Sequence, residues 1–162
     1  MGNHTFAKSD LYNFSDEADR MVRPMNMAPT EYGRSVLVRE VKGKRVAVVN
    51  LCGEIFMHDI TDSPFRCMEE ALKHIDADIV LVALHAEATS EKIAFAYALA
   101  GRISAVVGTH THVQTADERI VNGTAALSDL GMCGAYTSVL GREVDETVPR
   151  LLPDAKTRTT IA

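Results

Sequence analysis

Hydrophobic and polar residues alternate over residues 35–41, and this alternation predicts a β-strand. Residues 45–51 are almost wholly apolar, and Lys42-Gly43-Lys44 supplies turn residues between the two segments. Together the segments predict a β-hairpin. A second hairpin is predicted over 117–127, because Asn122-Gly123 separates two short strand-like segments and favours a tight two-residue turn.

Apolar strands alternate with helical patterns in the middle of the chain. Segments 78–84 and 104–108 are short and apolar, which is typical of buried strands. Pro64 opens a helical pattern before the first of them, and a second helix, capped by Thr89 or Ser90 and stopped by Gly101, is predicted between them. The apolar face of this second helix is predicted to hold Ile93, Tyr97 and Ala100. The alternation predicts an α/β protein with a mixed sheet.

The remaining segments carry weaker patterns. Residues 9–18 are polar and predict a short helix or a loop, whereas 21–32 contain two prolines and predict an irregular connection. Residues 153–162 are polar and are predicted to fray. We therefore predict one domain over 1–152 and a polar tail over 153–162.

Composition narrows the class of protein. The chain has 162 residues, of which 46% are hydrophobic, enough for the core of one domain. Its net charge of −5 argues against binding to duplex nucleic acid, although a bound metal would still allow a nucleotide substrate. The three cysteines are far apart, no signal peptide is visible, and no apolar segment approaches ~18 residues. We therefore expect a reduced, cytoplasmic setting and no membrane partner.

Histidines follow both predicted buried strands. His85 comes directly after one strand, and His110 and His112 come after the other. The carboxyl ends of parallel strands meet at the edge where α/β proteins bind ligands. In an extended His110-Thr111-His112 segment both imidazoles lie on one side, because strand side chains alternate. This pattern predicts a metal site, for which manganese, iron or zinc suits the ligands better than calcium.

Gly2-Asn3-His4 adds a third group of candidate residues. An asparagine oxygen can bind a hard metal, and the neighbouring histidine can act as a general acid. A frayed terminus is the competing interpretation of these residues. His58 and His74 are left outside the site, because His74 lies on the polar side of a predicted helix and His58 in a loop.

These residues carry a family resemblance. The order Gly-Asn-His, a strand ending in His, then Gly-Thr-His-Thr-His resembles the calcineurin-like metallophosphoesterase superfamily. The segments LHAEATSEKIAFAYALAGRISAVVGTHTHVQTADERI, ALSDLGMCGAYTSVLG, RPMNMAP and VAVVNLCGEIFM resemble its YmdB-like branch, so that the likeness runs from Gly2 to Leu152. The resemblance implies an αββα sandwich, in which two mixed β-sheets are flanked by helices.

The resemblance also implies a chemistry. It implies a phosphodiesterase that acts on 2′,3′-cyclic nucleotides or related phosphodiesters through two divalent metal ions, iron or manganese, with zinc or magnesium as alternatives. Asn3, His85 and His110 would bind one metal and His112 the other. His4 would assist the leaving group or stabilise the transition state.

The N-terminus departs from the family pattern. The family begins with a strand bearing a metal-binding Asp and a second strand bearing a Glu-Asn pair, and the chain opens at the third motif. We therefore expect a truncated domain with an incomplete metal centre, impaired when isolated. A homo-oligomer or a complementing N-terminal segment would complete it. A non-catalytic fragment or metal-binding interaction module on the same fold is the alternative, and an amidohydrolase-like enzyme ranks last because its H-x-H lies early in a larger barrel.

Overall fold

Six strands and three helices make up the regular structure of the computed structural model, which describes residues 1–7 and 19–152. In chain order these elements are β1 (Val36–Val41), β2 (Lys44–Cys52), α1 (Pro64–Leu72), β3 (Ile79–His85), α2 (Thr89–Ala98), β4 (Ala105–Thr109), β5 (Arg119–Val121), β6 (Thr124–Leu127) and α3 (Val144–Leu151). The chain divides into two units, Met1–Gly131 and Met132–Ala162. The first unit holds the whole sheet with α1 and α2, and the second holds α3.

The six strands form one mixed sheet in the order β1-β2-β3-β4-β6-β5. Strands β2, β3, β4 and β6 run parallel, while β1 and β5 pair antiparallel at the two edges. Both predicted hairpins and both predicted buried strands are therefore confirmed, as is the α/β class. Within residues 1–7 and 19–152 there is one sheet, so the second sheet of the expected sandwich is not among the described residues.

The core lies on the face of the sheet that α1 and α2 cover. Alternate residues of β3, among them Val82 and Leu84, are buried there, as strand periodicity requires. Phe95 of α2 packs in the same cluster and contacts Phe65 of α1, with the ring centroids 5.3 Å apart. This packing fixes α2 against the face of the sheet that carries Val82 and Leu84.

The predicted apolar face of α2 is wrong. Tyr97 is 60% exposed, and the residues that face the core are Phe95, Ala96 and Leu99. Glu91 and Lys92 are also buried on this helix. Their charged side chains interrupt the hydrophobic pattern, and for that reason the periodicity predicts the wrong face.

The remaining segments hold one further helix and irregular backbone. The sequence patterns do not predict α3, because Pro149 within it disfavours a helix interior. Most of 21–32 is irregular, as predicted. The predictions for 9–18 and 153–162 lie outside the described residues, so the domain boundary at 152 stays a prediction. Among the described helices none is long and apolar enough to span a membrane.

Candidate metal centre

The strand register brings the two histidine-bearing strand ends to one edge of the sheet. His85 is the last residue of β3 and pairs with Thr109, the last residue of β4. His110 therefore leaves the sheet directly beside His85. The sequence-based expectation that both strands deliver histidines to a common carboxyl edge is confirmed for His85 and His110. The expectation of an extended His110-Thr111-His112 segment is wrong, because the positive φ values of His110 and His112 take the backbone out of the extended region.

Three side-chain atoms converge at this edge. His85 Nε2 lies 3.0 Å from Asn3 Oδ1 and 3.0 Å from His110 Nδ1. The two imidazole rings meet edge to face, with centroids 4.8 Å apart. These are the three residues that the resemblance assigns to one metal.

The outer nitrogen of each ring has a partner that orients the ring. His85 Nδ1 lies 2.9 Å from Thr109 Oγ1, and His110 Nε2 lies 2.7 Å from a carboxylate oxygen of Glu87. When Thr109 and Glu87 accept these two N–H bonds, only lone pairs of His85, His110 and Asn3 point at the shared space. A cation is the natural complement of three such atoms, and hydrogen-bonded histidines of this kind are usual in metal sites.

His85 is prepared for such a role by its surroundings. Burial, and next the neighbouring His110, lowers the pKa of His85 to about 4. The imidazole is therefore neutral near pH 7, which is the form that binds metals.

The N-terminal segment is held against the sheet so that Asn3 reaches His85. The buried Asn50 donates from Nδ2 to the Met1 carbonyl oxygen at 2.8 Å, and Thr5 N donates to the Gly2 carbonyl oxygen at 3.0 Å. A Cβ at Gly2 would lie 2.6 Å from the His85 ring, so glycine is needed for this approach. These contacts argue against a frayed terminus for Gly2-Asn3-His4.

His4 and His112 are not part of the converging group. Both side chains are exposed, and neither forms a hydrogen bond or an ion pair with the part of the chain that the structure describes. Across the same residues no group of three or more His, Cys, Asp or Glu side chains is arranged to hold a metal. The donor set therefore fits one cation, held by one amide oxygen and two imidazoles, and does not fit a second.

Sequence reasoning missed the residues that support the histidines. Glu87 lies two residues after His85 and would have been found by asking what orients a ligand's second nitrogen. Thr109 belongs to the Gly-Thr-His-Thr-His motif, but its hydrogen bond to His85 is not predictable from the motif. Lys92 and Asp129 form a buried ion pair with Nζ and Oδ2 3.2 Å apart, and a pairing between residues 37 positions apart leaves no signal in one sequence.

Known proteins resemble this chain over its whole length. A 2′,3′-cyclic-nucleotide 2′-phosphodiesterase from Bacillus subtilis (strain 168) is 40% identical over 165 residues, an alignment that covers 100% of this chain and 62% of that protein. The chain thus spans less than two thirds of the length of that relative.

Solved structures that match this chain are likewise longer than it is. A hypothetical protein from Thermus thermophilus matches with a TM-score of 0.84 and 43% identity, over 95% of this chain and 61% of the other. A novel phosphatase from Mycoplasma pneumoniae matches with a TM-score of 0.81 and 37% identity, over 93% and 56%. The YmdB-like protein family matches residues 1–162 of the sequence. The chain therefore belongs to the YmdB-like protein family.

Proposed function

We propose that this chain supplies the histidine ligands of a metal centre that hydrolyses phosphodiesters of the 2′,3′-cyclic nucleotide class. The convergence of Asn3, His85 and His110 at the carboxyl edge of the sheet is the observation that carries the proposal. The family and the name of the Bacillus subtilis relative support the choice of substrate.

Each residue then has a distinct task. Asn3, His85 and His110 would hold one divalent cation, iron or manganese, and His112 would contribute to a second cation site only together with carboxylates from outside this chain. A bound divalent cation supplies positive charge that stabilises the charge developing on the phosphoryl oxygens. His4, exposed beside Asn3, donates a proton to the departing ribose oxygen.

The isolated chain is proposed to bind one cation and to hydrolyse substrate poorly. His112 is a single imidazole, and one such ligand does not hold a divalent ion against water. Carboxylates that bridge two metals would come from a complementing N-terminal segment or from a second copy of the chain. A cytoplasmic setting suits the chain, because Cys52, Cys67 and Cys133 are all free thiols.

The test combines metal binding with turnover. Mn²⁺ binding by isothermal titration and hydrolysis of 2′,3′-cyclic AMP are measured on the full chain and on His85→Ala and His110→Ala variants. We expect one Mn²⁺ per chain, and a loss of affinity of at least about tenfold in each variant. His74→Ala is the matched control, because His74 is an exposed histidine that pairs with Glu70.

Two results would contradict the proposal. Equal Mn²⁺ affinity in the wild type, His85→Ala and His74→Ala would show that His85 does not bind the metal. Rapid hydrolysis of 2′,3′-cyclic AMP with two bound metals would show that the isolated chain is not impaired.

A further inference from the structure

A buried ion pair contacts the loop of residues 110–112, which carries His110 and His112. The side chains of Lys92 in α2 and Asp129 after β6 are 4% and 2% exposed, with Nζ 3.2 Å from Oδ2. Burying two charges costs free energy that an apolar pair of similar volume would not. The pair therefore calls for a role besides packing.

Asp129 is tied directly to the histidine loop. Its Oδ2 accepts the backbone N–H of Thr111 at 2.9 Å, and its Oδ1 accepts that of Gly131 at 2.8 Å. The Asp129 backbone N–H donates in turn to Thr115 Oγ1 at 2.9 Å, on the other side of the loop. Burial works to raise the pKa of Asp129, but the hydrogen bonds from the Thr111 and Gly131 amides and from the Thr111 and Lys92 side chains together lower it, so the carboxylate is charged at neutral pH.

The loop requires such a restraint. His110 and His112 both have positive φ, at 117° and 68°. Backbone conformations of this kind are strained in residues other than glycine, and they persist only where neighbouring groups fix them. Thr111 lies between the two histidines, and its amide is the group that Asp129 binds.

We propose that Asp129, neutralised by Lys92, is the positioning residue that holds the His110–His112 loop in its metal-binding conformation. The proposal rests on the proposed function, because it assumes that this loop binds metal. Lys92 of α2 contacts the Asp129 carboxylate, and this carboxylate binds the Thr111 amide. Thr111 in turn connects the two histidines along the backbone.

Two double variants of the full chain separate the hydrogen bond from the charge. Lys92→Met/Asp129→Asn removes both charges and keeps one oxygen that can accept the Thr111 amide, while the Gly131 amide loses its acceptor. Lys92→Met/Asp129→Leu removes both charges and also the acceptor, at similar side-chain volume. Neutral replacement of a buried pair is often tolerated, so this matched pair isolates the acceptor.

Two readouts are compared. One is Mn²⁺ affinity by isothermal titration, and the other is NMR of the metal-free protein, following the Thr111 amide and the ring signals of His110 and His112. The Asn variant is expected to keep the wild-type ring signals and its affinity within about threefold. The Leu variant is expected to lose Thr111 amide protection, to shift both rings and to bind Mn²⁺ at least about tenfold more weakly.

Each outcome decides the matter. Equal affinity and equal ring signals in the two variants would overturn the proposal. If the Leu variant does not fold, Lys92→Met/Asp129→Ala takes its place as the variant without the acceptor: shifted His110 and His112 ring signals in it support the proposal, and wild-type signals overturn it. If wild-type protein binds no Mn²⁺, the proposed function fails, while the metal-free NMR comparison still tests the positioning role.

Discussion

Asp117 accepts more hydrogen bonds than a surface carboxylate usually does. Its Oδ1 accepts the Thr115 hydroxyl at 2.6 Å and the Ser128 backbone N–H at 3.1 Å. Its Oδ2 accepts the Ser128 hydroxyl and, at 3.0 Å, Arg119 Nη2. These bonds, led by those from the two hydroxyls, lower the pKa of Asp117 well below its ordinary range.

Replacing Asp117 with asparagine is expected to lower the free energy of unfolding by about 1–2 kcal/mol at pH 7. Since the pKa is lower in the folded protein, the ionised carboxylate stabilises the fold at every pH above the unfolded pKa of about 4. That contribution is lost as the pH falls further, so the difference between wild type and Asp117→Asn should shrink in acid. Urea unfolding at pH 7 and pH 3 measures both values.

The control for Asp117 is a carboxylate without such a network. Asp76 is 85% exposed and pairs only with Arg45 among the described residues, so Asp76→Asn should change stability by no more than about 0.5 kcal/mol. A difference between wild type and Asp117→Asn that does not depend on pH would contradict the ionised-carboxylate explanation.

Some residues of the site could be predicted from the sequence and others could not. His85, His110 and Asn3 could be predicted to come together, because each lies in a motif beside a recognisable strand or turn. Lys92 and Asp129 could not, because a lysine in a helix and an aspartate after a strand predict solvent exposure. Their burial depends on a contact between α2 and the segment after β6, and that contact exists only in the fold.

At the scale of elements, Gly108 governs how closely β4 approaches the segment after β6. A Cβ at Gly108 would overlap the Ser128 carbonyl oxygen and crowd the Lys92 side chain. Gly108→Ala is therefore expected to destabilise the protein by about 3 kcal/mol or more, since backbone in two elements would have to move. Thermal and urea unfolding measure the change.

Gly43 provides the control for Gly108. It lies in the β1–β2 turn with φ of +74° and has open space where a Cβ would be. Gly43→Ala meets only backbone strain, so it should cost about 1 kcal/mol. Equal losses at the two positions would show that close approach at Gly108 is not the cause.

The strands and hairpins could be predicted because a local sequence pattern determines each of them. The hairpins follow from alternation and turn residues, and the parallel strands from short apolar segments. The face of α2 was wrong because buried charges on that helix are satisfied by partners distant in sequence. Helix α3 was missed because its interior Pro149 opposes the local signal.

At the scale of the whole sheet, one face lies opposite the face that α1 and α2 cover. Leu81 of β3 is 37% exposed, and Ile120 of the edge strand β5 is 71% exposed. Between β4, β5 and β6 an open groove of about 440 Å³ is lined mostly by apolar residues: Ala105, Val106, Val107, Ile120, Ala125, Ala126 and Leu127. Contiguous apolar surface of this kind, next to an edge strand, favours association.

We expect the isolated chain to self-associate through this face, because pairing would bury apolar side chains now in contact with water. Sedimentation velocity over a range of protein concentrations should show a sedimentation coefficient that rises with concentration. Leu81→Lys and Ile120→Lys should shift the protein towards monomer, since each places a charge in the surface that would be buried. Tyr97→Lys is the matched control, because Tyr97 is comparably exposed but lies on α2. A concentration-independent monomer in the wild type would contradict the prediction, and an equal shift in all three variants would assign it to net charge instead of to this face.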